Sequence, residues 1–208
     1  MREERKPFDP DAVVAGVSIA RAIAAVEQAL VDRVRGRPAL MIAYASGGAL
    51  WELAAATCAA LASRFLAVGT PRSIGLVGDN ALAARCLDTH AAYFAPREVR
   101  RADITDHDAA RAACAADIVC VCDDAARIDP TWLRAGTHVN LLRGAFTQPP
   151  AHASQIRADV DVLATMVAGR VDGRQLDELT LFVVGAPDAL SVAELAIAAE
   201  GSSRRQLE

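Results

Sequence analysis

The residues best placed to do chemistry lie in one stretch, Ile74-Gly75-Leu76-Val77-Gly78-Asp79-Asn80-Ala81-Leu82-Ala83. An apolar run meets a tight turn and then a helix-forming run. In that arrangement, backbone N–H groups at a helix amino terminus can hold phosphate. The spacing, Gly78-x-Asn80-x-x-Ala83, is a variant of G-x-G-x-x-G/A. Gly78 makes the turn, and Ala83 is small enough for the helix to pack on the strand. Asn80 stands where a second glycine would let the backbone approach a pyrophosphate. Asparagine tolerates unusual backbone angles, but its side chain takes up that space. Asp79 adds a negative charge beside the helix start. Asp103 falls near the place of an acid that binds a ribose hydroxyl, while Arg100 and Arg101 suit a 2′-phosphate instead. Asp123 and Asp124 end a later strand at the same edge. Arg143 follows the next strand, at a position suited to meeting an anion.

Those residues reach one edge only if a parallel sheet carries them. Short apolar runs at 73–77, 99–103, 117–122, 138–142, 160–163 and 180–184 read as strands. Several are apolar on both faces, as strands covered by helices are. Helical stretches at 81–93, 108–115 and 130–134 fill the gaps. This alternation predicts an α/β fold, a doubly wound parallel sheet of Rossmann type. Ahead of it, Asp9-Pro10-Asp11 starts a helix with apolar residues at Val14, Val17, Ile19, Ile23, Val26, Leu30 and Val34, ended by Gly36 and Pro38. A short strand at 39–43 and a second long helix at 50–67 follow. A helix at 189–200 and a frayed polar tail from Gly201 come last. The expected division is a reduced helical, dimerising region over 1–68 and a Rossmann-type domain over 69–186. A closing helix and tail over 187–208 should pack back on the first region.

The 208 residues carry a formal charge of −4, without the clustered positive charge that a nucleic-acid binder needs. Lys6 is the single lysine. Set before Pro7 in a loose terminus, it leaves no lysine for a Schiff base, a P-loop or a general base. The first ten residues have no apolar core, unlike a secretory signal. The alanine-rich run at 49–68 is broken by Glu52, Ser63 and Arg64, which makes it a poor membrane span. Five cysteines, Cys58, Cys86, Cys114, Cys120 and Cys122, then fit reduced thiols in a cytosol. Cys120-Val121-Cys122 reads as two core thiols on one strand face rather than a zinc motif. Asp103, Asp106, His107 and Asp108 read as a solvated loop and helix cap, and His138 as a hydrogen-bonded core histidine.

The second half of the chain adds Ala116-Asp117-Ile118-Val119-Cys120 and Ile128-Asp129-Pro130-Thr131-Trp132-Leu133-Arg134-Ala135-Gly136-Thr137-His138-Val139-Asn140. Asp177-Glu178 leads into Leu179-Thr180-Leu181-Phe182. These runs resemble the ornithine cyclodeaminase/mu-crystallin family. The stretches at 22–30 and 61–67 and Glu194-Leu195-Ala196 resemble its helices. The resemblance implies a two-domain NAD(P) protein whose first domain dimerises and covers the active site. It implies hydride transfer between a nicotinamide and an amino or imino acid carbon, as in cyclodeaminases, imine reductases and amino-acid dehydrogenases.

The chain departs from that pattern where the chemistry would lie. Most of the first domain's strands are missing, and its substrate lysine has no counterpart. The arginine that should clamp a substrate carboxylate falls at about Ala54, near Glu52 and Ala55, and methyl groups do not replace a bidentate guanidinium. The catalytic aspartate's place falls at Ala145. Val183-Val184 stand where a serine or threonine would lie near the nicotinamide. The expectation is a shortened, non-catalytic relative, acting as a binding or assembly subunit with weak or lost NAD(P) binding. Its cofactor-contact positions are Gly78, Asp79, Asn80, Ala83, Asp103, Asp123 and Arg143, with no catalytic residue and no metal. Its partner would be a second copy or a full-length relative. The alternative is an NAD(P)-dependent oxidoreductase or cyclodeaminase acting on amino or imino acids, its site rebuilt or completed by a partner. A third reading is a pathway accessory protein that binds a small molecule in the old cleft.

Overall fold

The computed structural model describes residues 9–36, 48–150, 156–170, 178–184 and 190–205. Lys6 and the strand expected at 39–43 lie outside them. Three helices come first: α1 (Pro10–Gly16), α2 (Ile19–Val34) and α3 (Gly48–Leu66). Asp9 caps α1, accepting from the N–H groups of Asp11 and Ala12. The single helix expected from Pro10 to Val34 is in fact two, bent by 108°. Val17 and Ser18 adopt extended backbone and end one helix before the next begins. Apolar spacing continues across the break because both helices face the same core.

Helix α3 explains the alanine content. Every residue from Leu53 to Ser63 is buried, on all sides of the helix. Ala54, Ala55, Ala56, Ala59, Ala60 and Ala62 are short enough for neighbours to approach all round. Thr57 and Ser63 return their hydroxyl protons to Leu53 O and Ala59 O within the helix. By length and hydropathy α3 qualifies as a membrane span, yet most of it is covered by the fold itself.

Next come β1 (Ser73–Val77), α4 (Ala81–Phe94), β2 (Glu98–Ala102), α5 (His107–Cys114), β3 (Ile118–Val121) and the short β4 (Arg127–Ile128). A 3₁₀ turn (Pro130–Trp132) leads to β5 (His138–Leu141), β6 (Ala145–Phe146), β7 (Ile156–Ala158), α6 (Val160–Val167), β8 (Thr180–Val183) and α7 (Ser191–Arg205). Six strands form one sheet in the order β2-β1-β3-β5-β8-β7, all pairs parallel. The expected Rossmann-type α/β fold is present. One sheet face, with Ile74, Leu76, Ile118, Cys120 and Phe182, joins the core of α3 and α4. The other, with Val77, Val119, Val121, Val139 and Leu181, packs with α5 and Trp132.

Two local expectations fail. The run 160–163 is helix, not strand: Asp159 accepts from the N–H groups of Asp161 and Val162 and caps α6. Four apolar-rich residues fit either state, and the cap decides. The missed strand β7 lies just before that cap. Nor does the chain fray at Gly201, since α7 continues to Arg205. Gly201 is buried where α7 crosses α1, and an added Cβ would sit 2.8 Å from a Val13 methyl. Helix α7 packs on α1, α2 and α3, and Arg21 pairs with Glu200.

Asp117 ties the starts of β1 and β3 together. Its Oδ2 accepts from the N–H of Arg72 (2.8 Å) and of Ser73 (2.9 Å), and Ser73 Oγ accepts from the Asp117 N–H. Partial burial works to raise its carboxyl pKa, but those N–H donors win and hold it below the usual range. A carboxyl with a lowered native pKa contributes stability above its unfolded pKa, about 3.9, and loses it as pH falls through the native value. Urea unfolding between about pH 7 and pH 3 should therefore show a falling midpoint below about pH 4. Asp117→Asn should flatten that acid limb and lower the midpoint at neutral pH.

Candidate functional site

The sheet order places a switch point between β1 and β3. From β1 the chain crosses by α4 to β2 on one side, then by α5 to β3 on the other. At such a point the loops leave in opposite directions and open a crevice beyond the carboxyl ends of the strands. Gly78, Asp79 and Asn80 leave β1 there, and Cys122, Asp123 and Asp124 leave β3. Gly78 adopts φ +112°, a conformation other residues rarely take.

Four of the seven expected contact positions converge in this crevice: Gly78, Asn80, Ala83 and Asp123. Asn80 Oδ1 accepts from the Ala83 N–H at 3.0 Å and caps α4. Asn80 Nδ2 donates to Cys122 O at 2.8 Å. One side chain thus bridges the crevice from the start of α4 to the residue after β3. Asp123 closes it further, because a Cβ on Gly78 would sit 3.0 Å from Asp123 Cβ. Asp123 Oδ1 itself accepts from the Ala125 N–H. Asp79 is exposed at the turn.

The remaining two lie at its flanks. Asp103 follows β2, and its Oδ1 accepts from the Thr105 hydroxyl (2.6 Å) and N–H (2.8 Å), bonds that hold its pKa below the ordinary value. Arg100 is engaged by Glu98 through Nε and Nη2 and donates to Ala112 O. Arg143 donates to Asp124 Oδ2 at 3.3 Å, and its guanidinium lies 4.9 Å from the centre of the Trp51 ring. Trp51, on the first turn of α3, carried no signal in the sequence. Beside Asp103, a cavity of about 110 Å³ opens between Val77, Ile104, His107, Ile128 and Trp132. The His107 and Trp132 rings meet edge to face at 5.0 Å.

The positions assigned to substrate chemistry hold no reactive group. Ala54 is fully buried in α3. Ala145 pairs with Arg127 in the β4–β6 ribbon. Asp106 caps α5 through the Ala109 N–H. Among the described residues, no cluster of histidine, cysteine or carboxylate side chains could hold a metal. All five cysteines are buried and free, and burial pushes Cys58 and Cys114 up to about 12.

No protein-family model matches the sequence, and no curated protein does. Solved structures match over nearly the whole chain. A probable ornithine cyclodeaminase from Bordetella pertussis superposes with a TM-score of 0.72 at 18% identity, covering 96% of this chain and 97% of its own. The Thermococcus litoralis Δ1-pyrroline-2-carboxylate reductase, solved with NADH and L-proline, gives 0.72 at 16%, covering 94% and 97%. An archaeal alanine dehydrogenase dimer with bound NAD gives 0.71 at 15%, covering 94% and 95%. Likeness at that level of identity is a likeness of fold, and it agrees with the resemblance read from the sequence. The chain therefore has the fold of ornithine cyclodeaminase and of the NAD-dependent reductase and dehydrogenase built like it.

Proposed function

We propose that the chain binds NAD in the crevice between β1 and β3 and belongs functionally among nicotinamide-linked oxidoreductases and cyclodeaminases of amino or imino acids. The observation that supports this best is the switch-point turn: Gly78 at φ +112°, running into a helix that starts at the crevice. Asp103 supplies a carboxylate at the end of β2, suited to ribose hydroxyls. Of the two candidates for a 2′-phosphate, Arg100 is paired with Glu98, and Arg101 is exposed. The cavity beside Ile104 and Trp132 offers apolar walls for a flat base. Bound NADH would supply a hydride to an imine carbon.

The obstruction to this reading lies at the pyrophosphate. There the Asn80 bridge must open first, at about 1 kcal/mol for the cap and about 1 for the second bond. That weakens binding by roughly 30-fold. A second reading keeps the fold without catalysis, as a binding or assembly subunit in a reducing compartment, paired with another copy or a full-length relative. Buried Ala54 and strand-paired Ala145 favour it. A thermal-shift and fluorescence titration separates the two, since both tryptophans flank the crevice. The first reading expects NADH to raise the melting temperature and quench Trp51 or Trp132, with NADPH weaker. If neither nucleotide does so at millimolar concentration, the second reading stands.

A further inference from the structure

At the same edge of the sheet, one strand along from the crevice, Arg143 follows β5. Its backbone is fixed there. Its N–H donates to Val121 O at 3.1 Å, which ties it to the end of β3. The next residue is pressed onto the loop after β3: a Cβ on Gly144 would lie 2.7 Å from Ala126 O and 2.8 Å from Asp123 O. The side chain is held as well. Its guanidinium lies over the Trp51 ring, 4.9 Å from the centre. That cation–π contact supports the charge without using an N–H donor.

A guanidinium carries five N–H groups and no acceptor. Among the described residues, Arg143 donates through Nη1 alone, to Asp124 Oδ2 at 3.3 Å, longer than a charge-assisted bond usually runs. The Asp124 side chain is 80% exposed and that of Arg143 33%. An ion pair so open to water contributes little. The edge formed by Nε and Nη2 meets no acceptor among the described residues. A largely covered guanidinium with one edge unused suits a planar anion with two oxygens.

Amino and imino acids carry such an anion. At this edge a carboxylate also meets Asp79, Asp123 and Asp124, so it needs a cation to hold it. Ala54, where the family resemblance places a clamping arginine, offers only a buried methyl. Trp51 stands one helical turn before it on α3. We propose that Arg143 binds the carboxylate of an α-amino or α-imino acid through its Nε–Nη2 edge, with Trp51 as the shelf beneath it. Helix α3 then gives the support and β5 the charge, in place of an arginine on α3. Asp124 tethers the guanidinium while the site is empty, and its charge repels an incoming carboxylate. This inference rests on the oxidoreductase reading above and names the residue that selects its substrates.

Calorimetric titration tests it, after NADH has been titrated into the same protein. The probes are pyrrole-2-carboxylate and its neutral amide, pyrrole-2-carboxamide. Both are planar rings with nitrogen beside the substituted carbon, and their aromatic ring accepts no hydride. Wild-type protein with NADH should bind the acid at least about 10-fold more tightly than the amide. Arg143→Gln should weaken the acid by about 30-fold and leave the amide unchanged. Arg143→Lys, which keeps the charge without the fork, should fall between. Asp124→Asn should tighten the acid about threefold, a gain that a purely structural ion pair does not produce. Equal affinities for acid and amide overturn the assignment of Arg143 while NADH binding stands. So does the absence of binding by either at millimolar concentration, or an acid affinity that neither variant moves. Should Arg143→Gln not fold, the wild-type and Asp124→Asn titrations decide. Protein that takes no NADH overturns the oxidoreductase reading and this inference with it.

Discussion

Gly75→Ala should cost about 3 kcal/mol of stability, at the upper end of what overpacking does. Gly75 sits in the middle of β1 and faces α5. A Cβ there would lie 2.0 Å from Ala113 O and 2.7 Å from Ala113 C. Both are backbone atoms of a helix, so no side chain can rotate away. The whole of α5 must move off the sheet and drag Val77, Val119 and Val121 out of their packing. Gly16→Ala is the matched control, because its added methyl meets nothing within 4 Å, and it should leave stability nearly unchanged. Urea unfolding of the pair measures the difference. A loss below about 1 kcal/mol at Gly75 would mean that α5 is free to slide, contrary to the close approach seen here.

Asn80→Gly should tighten NADH binding by roughly 30-fold, the equivalent of the two bonds that the wild-type crevice must break to open. Glycine also serves as an N-cap at a cost of only a few tenths of a kcal/mol, so the helix should survive the change. The link from α4 to Cys122 O would be lost, and a small drop in melting temperature should accompany the gain in affinity. Fluorescence titration of both proteins with NADH measures it. An unchanged dissociation constant would place the pyrophosphate elsewhere and remove Asn80 from its path.

Local signals in the sequence carried the fold well. The strand, turn and helix at 73–94 could be read because each residue there acts on its immediate neighbours. The strand at 138–141 and the burial of His138 were legible for the same reason. What escaped is nonlocal. Asn80 was legible as an obstruction, but its partner, Cys122 O, lies 42 positions away. Arg143 was read as a contact for a ligand anion, but Trp51, which its guanidinium meets, lies far from it in the sequence. The close approach of Gly75 to Ala113 likewise joins residues far apart in the sequence. The break between α1 and α2 left no mark, because apolar spacing reports which way a helix faces and not whether it is continuous.

The meeting of Gly201 with Val13 bears on how the chain reaches its fold. Helices α1, α2 and α3 are made early, but α7, which packs on all three, comes after every strand. Contacts of such long separation close slowly. During synthesis α3, apolar on every side, waits without its full cover while the sheet is assembled. That interval is when exposed apolar surface invites aggregation or capture by a chaperone. Loss of α7 should therefore harm folding yield more than its own modest share of the core suggests.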